Sequence, residues 1–382
     1  MNKIAEKLVE KKVLIPFILL TSLFFLWGIA NDLTNPMVSA FKKVMPELSN
    51  YQAALVQLAF YGGYATMAIP AALFVQKYNY KKGIILGLVL YAVGALLFYP
   101  AAQFEVFGFF LVSLYILTFG LAFLETTANP FILSMGDERT ATRRLNLAQS
   151  FNPIGSLLGM FVASKFILSA LDSDKRTATG ELIFNTLDEA QKAVIRTHDL
   201  LIIRNPYIIL GFVVIAMLAV ISISKMPSKA TENDDFKAID SIKRLLKNVK
   251  YREGVIAQMF YVAAQIMCWT FIIQYADNLG IAKSTAQNYN IVAMGIFLSS
   301  RFISTMLMKY INARKLLTFF AIGAMISVTG VILIEGMMGL YLLVATSVCI
   351  SSFDDELRIL IPSYTPLFMC ASINLDISST DE

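Results

Sequence analysis

The sequence predicts an all-α protein that crosses a membrane repeatedly, with about ten helices. Hydrophobic residues make up 57% of the 382 residues and charged residues only 15%, whereas soluble domains average about 25% charged residues. The apolar residues also form long runs, and a run of about 18 or more predicts a transmembrane helix. Helices satisfy their own backbone hydrogen bonds in lipid, and barrel strands would be shorter and alternating. A single water-soluble core is therefore excluded.

Ten apolar spans follow one another along the chain. They cover residues 14–36, 51–75, 83–102, 105–131, 147–170, 205–224, 254–276, 286–308, 316–335 and 337–353. Residues 171–204 are predicted to form a long external loop. The similar stretches QKYNYKKG and MKYINARK, after the second and eighth spans, indicate a duplicated architecture. The predicted domains are a six-helix bundle over 1–224, a cytoplasmic linker over 225–253, a partial bundle of about four helices over 254–353 and an aberrant tail over 354–382.

Basic residues concentrate in alternate loops, and this pattern predicts the orientation of the chain. The side of the membrane with more basic residues includes the N-terminal lysines, Lys81 and Lys315. The short loops on the other side hold Lys42, Lys43 and Lys283. The positive-inside rule makes the richer side cytoplasmic. We therefore expect a multi-pass protein of the plasma, or inner, membrane with a cytoplasmic N-terminus. Because the basic runs alternate with the spans, they act as topology signals and do not indicate nucleic-acid binding.

Several classes of function are excluded by the residues that the chain lacks. It has one histidine, His198, and its cysteines (Cys268, Cys349 and Cys370) form no CxxC pair. This composition predicts neither a disulfide framework nor a metal site. An enzyme would need a catalytic cluster of His, Cys or paired carboxylates, and none is present. The polar faces of the spans are broken and asymmetric, which favours a binding site over a continuous channel.

Glu125 lies in the stretch GLAFLETTANPFIL, inside the fourth apolar span. It is roughly 15 Å along the helix from the cytoplasmic loop, near the middle of the membrane. An ionisable group at this depth indicates function, and loss of hydration favours its protonated form. We therefore predict that Glu125 couples transport to protons. The alternative is a structural acid paired with Thr127, Asn129 or a neighbouring helix, and Asn129 is assigned a structural or gating role.

A second acid, Asp32, lies in the stretch WGIANDLTNPM of the first span. Asn35 follows three residues later and shares its helix face. Asp32 is interpreted as a second protonatable group or a sugar ligand, and Asn35 as a sugar ligand. The alternative is an acid close to the outer water layer.

Amides and aromatic rings predict a sugar-binding site. Gln149 and Asn152 share a face of span five, and an amide offers donors and an acceptor to a ligand with many hydroxyls. Span seven carries a longer stripe of the same chemistry: Gln258, Tyr261, Gln265 and Trp269. Helix–helix packing is the alternative for the amides, and an interfacial anchor for Trp269. Gln57, Tyr61 and Tyr64 form a similar but weaker face in span two, for which packing is the alternative. Arg301 in span eight is interpreted as a gating or structural charge.

The stretches FFLWGIANDLTNP, LETTANPFI, RLNLAQSFNPIGS and AQMFYVAAQIMCW resemble the fucose permease family, the L-fucose:proton symporters of the major facilitator superfamily. The resemblance covers about residues 13–350. It implies twelve helices in two six-helix bundles, alternating access, and sugar uptake driven by inward proton flow without a cofactor, in a monomer. In the family the acid of the LETxANP stretch is central to proton coupling, which here is Glu125. The family's amides that line the sugar cavity are here Gln149 and Asn152.

The chain departs from the family pattern at two places. The family has an acid where this chain has Asn35, and its own acid is Asp32, so the carboxylate is expected to keep its role from a shifted position. Residues 354–382 do not resemble the family's last helices, which predicts a truncated or frame-slipped chain that is unstable or inactive. The leading function is proton-driven uptake of a monosaccharide, L-fucose above all. A glucose or galactose transporter of the same family and a non-functional remnant are the alternatives.

Overall fold

The computed structural model describes residues 8–34, 36–175, 183–226, 243, 246–281 and 283–350. Within these residues the chain forms thirteen α-helices and no strand. The helices are α1 (Leu14–Thr34), α2 (Met37–Val44), α3 (Asn50–Lys77), α4 (Tyr80–Leu96), α5 (Phe98–Phe104), α6 (Phe107–Leu133), α7 (Ala141–Gln149), α8 (Phe151–Val162), α9 (Glu189–Ile223), α10 (Val249–Asn278), α11 (Lys283–Leu307), α12 (Ala313–Leu333) and α13 (Met337–Ile350). The predicted tail, most of the predicted linker and Asn35 lie outside the described residues.

The predicted membrane helices are confirmed for the described part of the chain. Nine helical segments there are long and apolar enough to cross a membrane, and they coincide with the first nine predicted spans. The tenth span corresponds to α13, a shorter apolar helix of 14 residues. A polytopic all-α membrane protein is thus the architecture of the molecule.

The external loop predicted for residues 171–204 is wrong over its second half, because α9 begins at Glu189. A capping box starts the helix: the Asp188 carboxylate accepts from the backbone N–H of Gln191 at 2.8 Å, and the Gln191 side chain accepts from the backbone N–H of Asp188 at 3.3 Å. Such a pair satisfies two of the amide groups that a helix start leaves without partners. The first turns of α9 are polar, so hydropathy alone did not reveal them.

A cluster of charged residues fastens the preceding loop to α9. The buried Asp199 carboxylate accepts from the backbone N–H groups of Asp172 and Ser173, both at 2.9 Å. Asp172 in turn bonds Lys175 at 2.6 Å and His198 at 3.0 Å. The Lys175 hydrogen bond is the main reason why the pKa of Asp172 lies below its usual range. The ligand atoms of Asp172, His198 and Asp199 lie within 4.8 Å of one another, but these partners explain the grouping as an ion-pair cluster.

The chain groups into two compact units, and each is described by itself. The first unit comprises Ser22–Ala128 and Gly155–Asn233, and the second comprises Met1–Thr21, Asn129–Ile154 and Asp234–Glu382. This grouping by contacts does not test the predicted division of the chain into two sequential bundles joined by a linker. That division stays a prediction.

Glycines allow the helices of the first unit to approach closely. A Cβ added at Gly120 of α6 would collide with the backbone of Tyr91 and Gly87 in α4, and one at Gly94 of α4 would collide with the backbone of Leu117 in α6. Helix association in a membrane depends on such small residues, because lipid gives no hydrophobic drive to association. This contact sets the position of α6, which carries Glu125.

In the second unit Arg144 joins the end of α6 to α7. Its side chain is fully buried, and it donates to the carbonyl oxygens of Ile132 at 2.9 Å and Leu133 at 2.7 Å and to the Thr140 hydroxyl at 2.9 Å. The last carbonyl groups of a helix lack intrahelical donors. The guanidinium supplies those donors and holds Asn129 and Gln149 on adjoining elements.

Candidate functional site

The predicted proton-coupling acid, Glu125, is buried within α6 and is only 9% exposed. It interacts electrostatically with the hydroxyl of Tyr64 on α3. That hydroxyl accepts from the Trp27 indole Nε1 at 2.5 Å and donates to the Asn31 Oδ1 at 3.5 Å. The carboxylate of α6 is therefore close to a polar group that also bonds two residues of α1.

Asp32 lies on α1 of the same unit and is partly exposed. Its carboxylate interacts electrostatically with Tyr61 on α3. Each predicted acid of the first unit thus has a tyrosine of α3 near it, Tyr64 for Glu125 and Tyr61 for Asp32. Both tyrosines belong to the weaker face predicted for span two, for which packing was the alternative, and their spacing on one helix face was the only signal.

Tyr64 is the member of this group whose replacement tests its role most directly. We expect Tyr64→Phe to lower proton-driven sugar uptake about tenfold, because it removes the acceptor of the partly buried Trp27 indole and leaves that donor unsatisfied, at a cost of up to about 1–3 kcal/mol. Uptake would be measured as a function of external pH, and the profile should change shape as well as height.

Tyr115→Phe is the matched control for this substitution. It also removes a tyrosine hydroxyl from the first unit, one that bonds the Thr66 hydroxyl at 2.9 Å. We expect it to leave the pH profile unchanged. A Tyr64→Phe variant with the uptake rate and pH profile of the unmodified chain would show that the network around Glu125 has no part in transport.

Amide groups meet in the second unit, where Asn129 and Gln149 are both buried. The Gln149 side-chain amide donates from Nε2 to the Asn129 Oδ1 at 2.9 Å. The Asn129 Nδ2 is also buried, and it has no hydrogen-bond partner among the described residues. Asn152, at the start of α8, is partly exposed. The structure thus places two predicted site residues in contact and leaves one of them with an unused donor.

The predicted stripe on α10 divides into two kinds of residue. The Tyr261 hydroxyl donates to the Ile350 carbonyl oxygen at 2.8 Å, so this side chain has a structural reason for its position. Gln258 and Gln265 are partly exposed. The Trp269 ring packs edge-on against Phe297 with 5.3 Å between centroids, and its Nε1 is buried without an acceptor among the described residues. Trp269 therefore presents a ring and a free donor together.

Arg301 of α11, which was predicted to be a gating or structural charge, contacts the predicted sugar ligand Gln149. Its side chain is 4% exposed, and its Nη1 donates to the Gln149 carbonyl oxygen at 3.1 Å. Its guanidinium lies 5.3 Å from the centroid of the Phe297 ring. Arg301 thus touches both Gln149 and the aromatic neighbour of Trp269.

Comparisons with known proteins agree on one family. A family model described as Major Facilitator Superfamily matches residues 13–355. An L-fucose-proton symporter of Haemophilus influenzae is 64% identical over 342 residues, which cover 89% of this chain and 80% of that protein. An L-fucose-proton symporter of Escherichia coli is 36% identical over 324 residues, covering 83% of this chain and 72% of that protein. The crystal structure of the E. coli fucose:proton symporter matches with a TM-score of 0.83 at 32% identity, over 95% of this chain and 89% of that chain.

Proposed function

Because the chain belongs to the major facilitator superfamily, we propose that it is a secondary transporter that carries L-fucose into the cell together with a proton. The observation that carries the proposal is the buried Glu125 within a membrane helix, in a chain 64% identical to a protein named for L-fucose-proton symport. The proton gradient supplies the driving force, and neither a cofactor nor a catalytic group is needed. Transport by this superfamily alternates access to a binding site near the middle of the membrane.

The proton is assigned to Glu125, with Asp32 as a second protonatable group. A carboxylate in a region of low polarity gains or loses a proton when its surroundings change. Tyr64 supports this assignment, because its hydroxyl interacts with Glu125 while bonding residues of α1. A change in the protonation of Glu125 would therefore alter the electrostatic surroundings of a hydroxyl that hydrogen-bonds α3 to α1.

The sugar is assigned to the amides and the aromatic stripe of the second unit. Gln149 and Asn152 would bind hydroxyls, with Gln258, Tyr261 and Gln265 as further ligands on α10. Trp269 would pack its ring on the sugar's C–H face. Neither the Asn129 Nδ2 nor the Trp269 Nε1 has a hydrogen-bond partner among the described residues. This supports the assignment, because a buried donor costs free energy unless something bonds it. Asn129 orients Gln149 through its Oδ1.

The last parts of the proposal are the membrane in which the protein works, its orientation and its oligomeric state. The proposed setting is the plasma membrane, with the cytoplasmic N-terminus that the positive-inside rule predicts, and the proposed state is a monomer.

Uptake of labelled L-fucose into proteoliposomes with an acidic exterior tests the proposal. We expect accumulation that collapses when a protonophore removes the pH gradient, and competition by unlabelled L-fucose. Stronger competition by glucose or galactose would reassign the sugar and keep the mechanism. Binding without pH-driven accumulation would refute proton symport, and a chain that shows neither would fit the remnant alternative.

A further inference from the structure

The carbonyl group of Gln149 is set apart from the other carbonyls of α7 by the residue four positions later. That residue is Pro153, and it has no backbone N–H. In an uninterrupted helix the Gln149 carbonyl would accept from the amide at position 153. Proline removes this bond, and α7 ends at Gln149 before α8 begins at Phe151. An acceptor is therefore left for a partner outside the helix.

Arg301 supplies that partner, within a set of contacts between α7 and α11. Its Nη1 donates to the Gln149 carbonyl at 3.1 Å. The Asn146 Nδ2 donates to the Thr305 hydroxyl at 2.8 Å and to the Arg301 carbonyl at 3.3 Å. The Arg143 Nε donates to the Thr305 carbonyl at 3.2 Å. We call these contacts the α7–α11 clasp. They use backbone carbonyls from both helices and are buried or partly buried.

The clasp is in direct contact with the two groups of residues assigned to the sugar. On one side, the clasp includes the backbone carbonyl of Gln149. The side chain of Gln149 donates a hydrogen bond to Asn129 at 2.9 Å. On the other side, the Arg301 guanidinium lies over Phe297, which packs against Trp269. A charged group that touches neighbours of both ligand groups changes its contacts when either group moves.

We propose that Pro153 and Arg301 form a latch that links sugar binding to the opening of the α7–α11 clasp. When a sugar engages the Gln149 amide and the Trp269 ring, Gln149 and Phe297 shift, the bond from Arg301 to the Gln149 carbonyl weakens, and the clasp opens. Arg301 is a positioning residue in this scheme and does not contact the sugar. The inference rests on the proposed function for the identity of the sugar and for the assignment of Gln149 and Trp269 to its site.

The test measures exposure of the clasp directly. Ser304 of α11 is fully buried beside Thr305, so a Ser304→Cys chain reports opening through its rate of reaction with a polar maleimide. The protein would be studied in lipid nanodiscs. The chain without the Ser304→Cys substitution would give the background labelling of the native cysteines. We expect slow labelling that L-fucose accelerates. Adding Arg301→Gln should raise the sugar-free rate about tenfold, as expected for the loss of one charge-assisted hydrogen bond, and remove the response to sugar.

Two further substitutions separate the latch from general damage to the fold. Pro153→Ala restores a backbone N–H that competes for the Gln149 carbonyl while deleting no side-chain bond, so labelling should rise by about threefold. It keeps the test valid if Arg301→Gln fails to fold. Arg301→Lys retains one charged donor and should give an intermediate rate. Pro206→Ala, a proline inside α9 of the first unit, is the matched control and should leave labelling unchanged.

The outcomes distinguish the latch from the proposed substrate. Faster labelling in Arg301→Gln and Pro153→Ala, but not in Pro206→Ala, supports the latch. If L-fucose leaves labelling of the unmodified chain unchanged while glucose or galactose accelerates it, the latch stands and the assigned sugar is wrong. If no sugar accelerates it, the latch is overturned, even though the variants open the clasp. Labelling at the unmodified rate in both Arg301→Gln and Pro153→Ala overturns the latch, even in a chain that transports L-fucose.

Discussion

Replacing Glu125 with glutamine should abolish the accumulation of L-fucose against its gradient while leaving exchange of sugar across the membrane. Glutamine has nearly the same shape as protonated glutamate and keeps hydrogen-bonding capacity beside Tyr64, but it cannot release a proton. The variant should therefore resemble a carrier that is permanently loaded with its proton. It binds sugar and changes conformation, yet it draws no free energy from the pH gradient.

The size of the effect follows from the energetics of the gradient. One pH unit corresponds to about 1.4 kcal/mol per proton, and this free energy equals about a tenfold concentration ratio. With one proton per sugar, the unmodified chain should accumulate L-fucose about tenfold for each pH unit, and Glu125→Gln should reach a ratio of about one. The measurement is labelled sugar inside proteoliposomes at steady state, over a series of imposed pH gradients.

Counterflow exchange provides the internal control, because it requires the sugar site and the conformational change but no net proton movement. Glu47→Gln makes the same chemical change at an exposed residue that pairs with Arg196, and it should accumulate sugar normally. If Glu125→Gln still concentrates L-fucose in response to pH, the proton must be carried elsewhere, and Asp32 becomes the leading candidate. If exchange is lost as well, Glu125 is required for sugar binding or folding, and the coupling assignment loses its support.

The membrane helices could be predicted because hydropathy is a local property of the chain. The outer turns of α9 could not be found in this way, since a helix that continues beyond the membrane becomes polar. The signal that would have located its start was present in Asp188 and Gln191, whose spacing is that of a capping box. Short-range capping chemistry and hydropathy therefore carry separate information about where a helix begins.

Candidate site residues were predictable where a polar group interrupts an apolar run, as Glu125 and Gln149 do. Tyr64 and Phe297 were not, because aromatic residues are ordinary in membrane helices and only their neighbours give them a role. The bond between Arg301 and Gln149 joins residues 152 positions apart. Pro153 indicates in the sequence that a carbonyl of α7 lacks its helical donor, but which side chain bonds that carbonyl depends on packing.

Replacing Gly120 with alanine should disrupt the packing of α6 on α4. The added methyl group would meet the backbone of Tyr91 and Gly87 at distances that real Cβ atoms do not reach, and backbone atoms cannot turn aside as a flexible side chain can. The helices would have to separate along the contact. Overpacking of this kind typically costs about 1–3 kcal/mol and more when backbone must move. We expect a lower midpoint of thermal unfolding for the purified protein, measured in lipid nanodiscs.

Gly108 offers a matched control in the same helix, because a Cβ there meets nothing within 4 Å. Alanine has a higher helix propensity than glycine by about 1 kcal/mol in helix interiors, so Gly108→Ala should be neutral or slightly stabilising. Equal midpoints for the two variants would show that the α4–α6 contact does not limit stability. Since Glu125 lies five residues after Gly120 on α6, displacement of the helix should also move the acid away from Tyr64. Gly120→Ala should therefore lose pH-driven accumulation together with stability, whereas Glu125→Gln should lose accumulation alone.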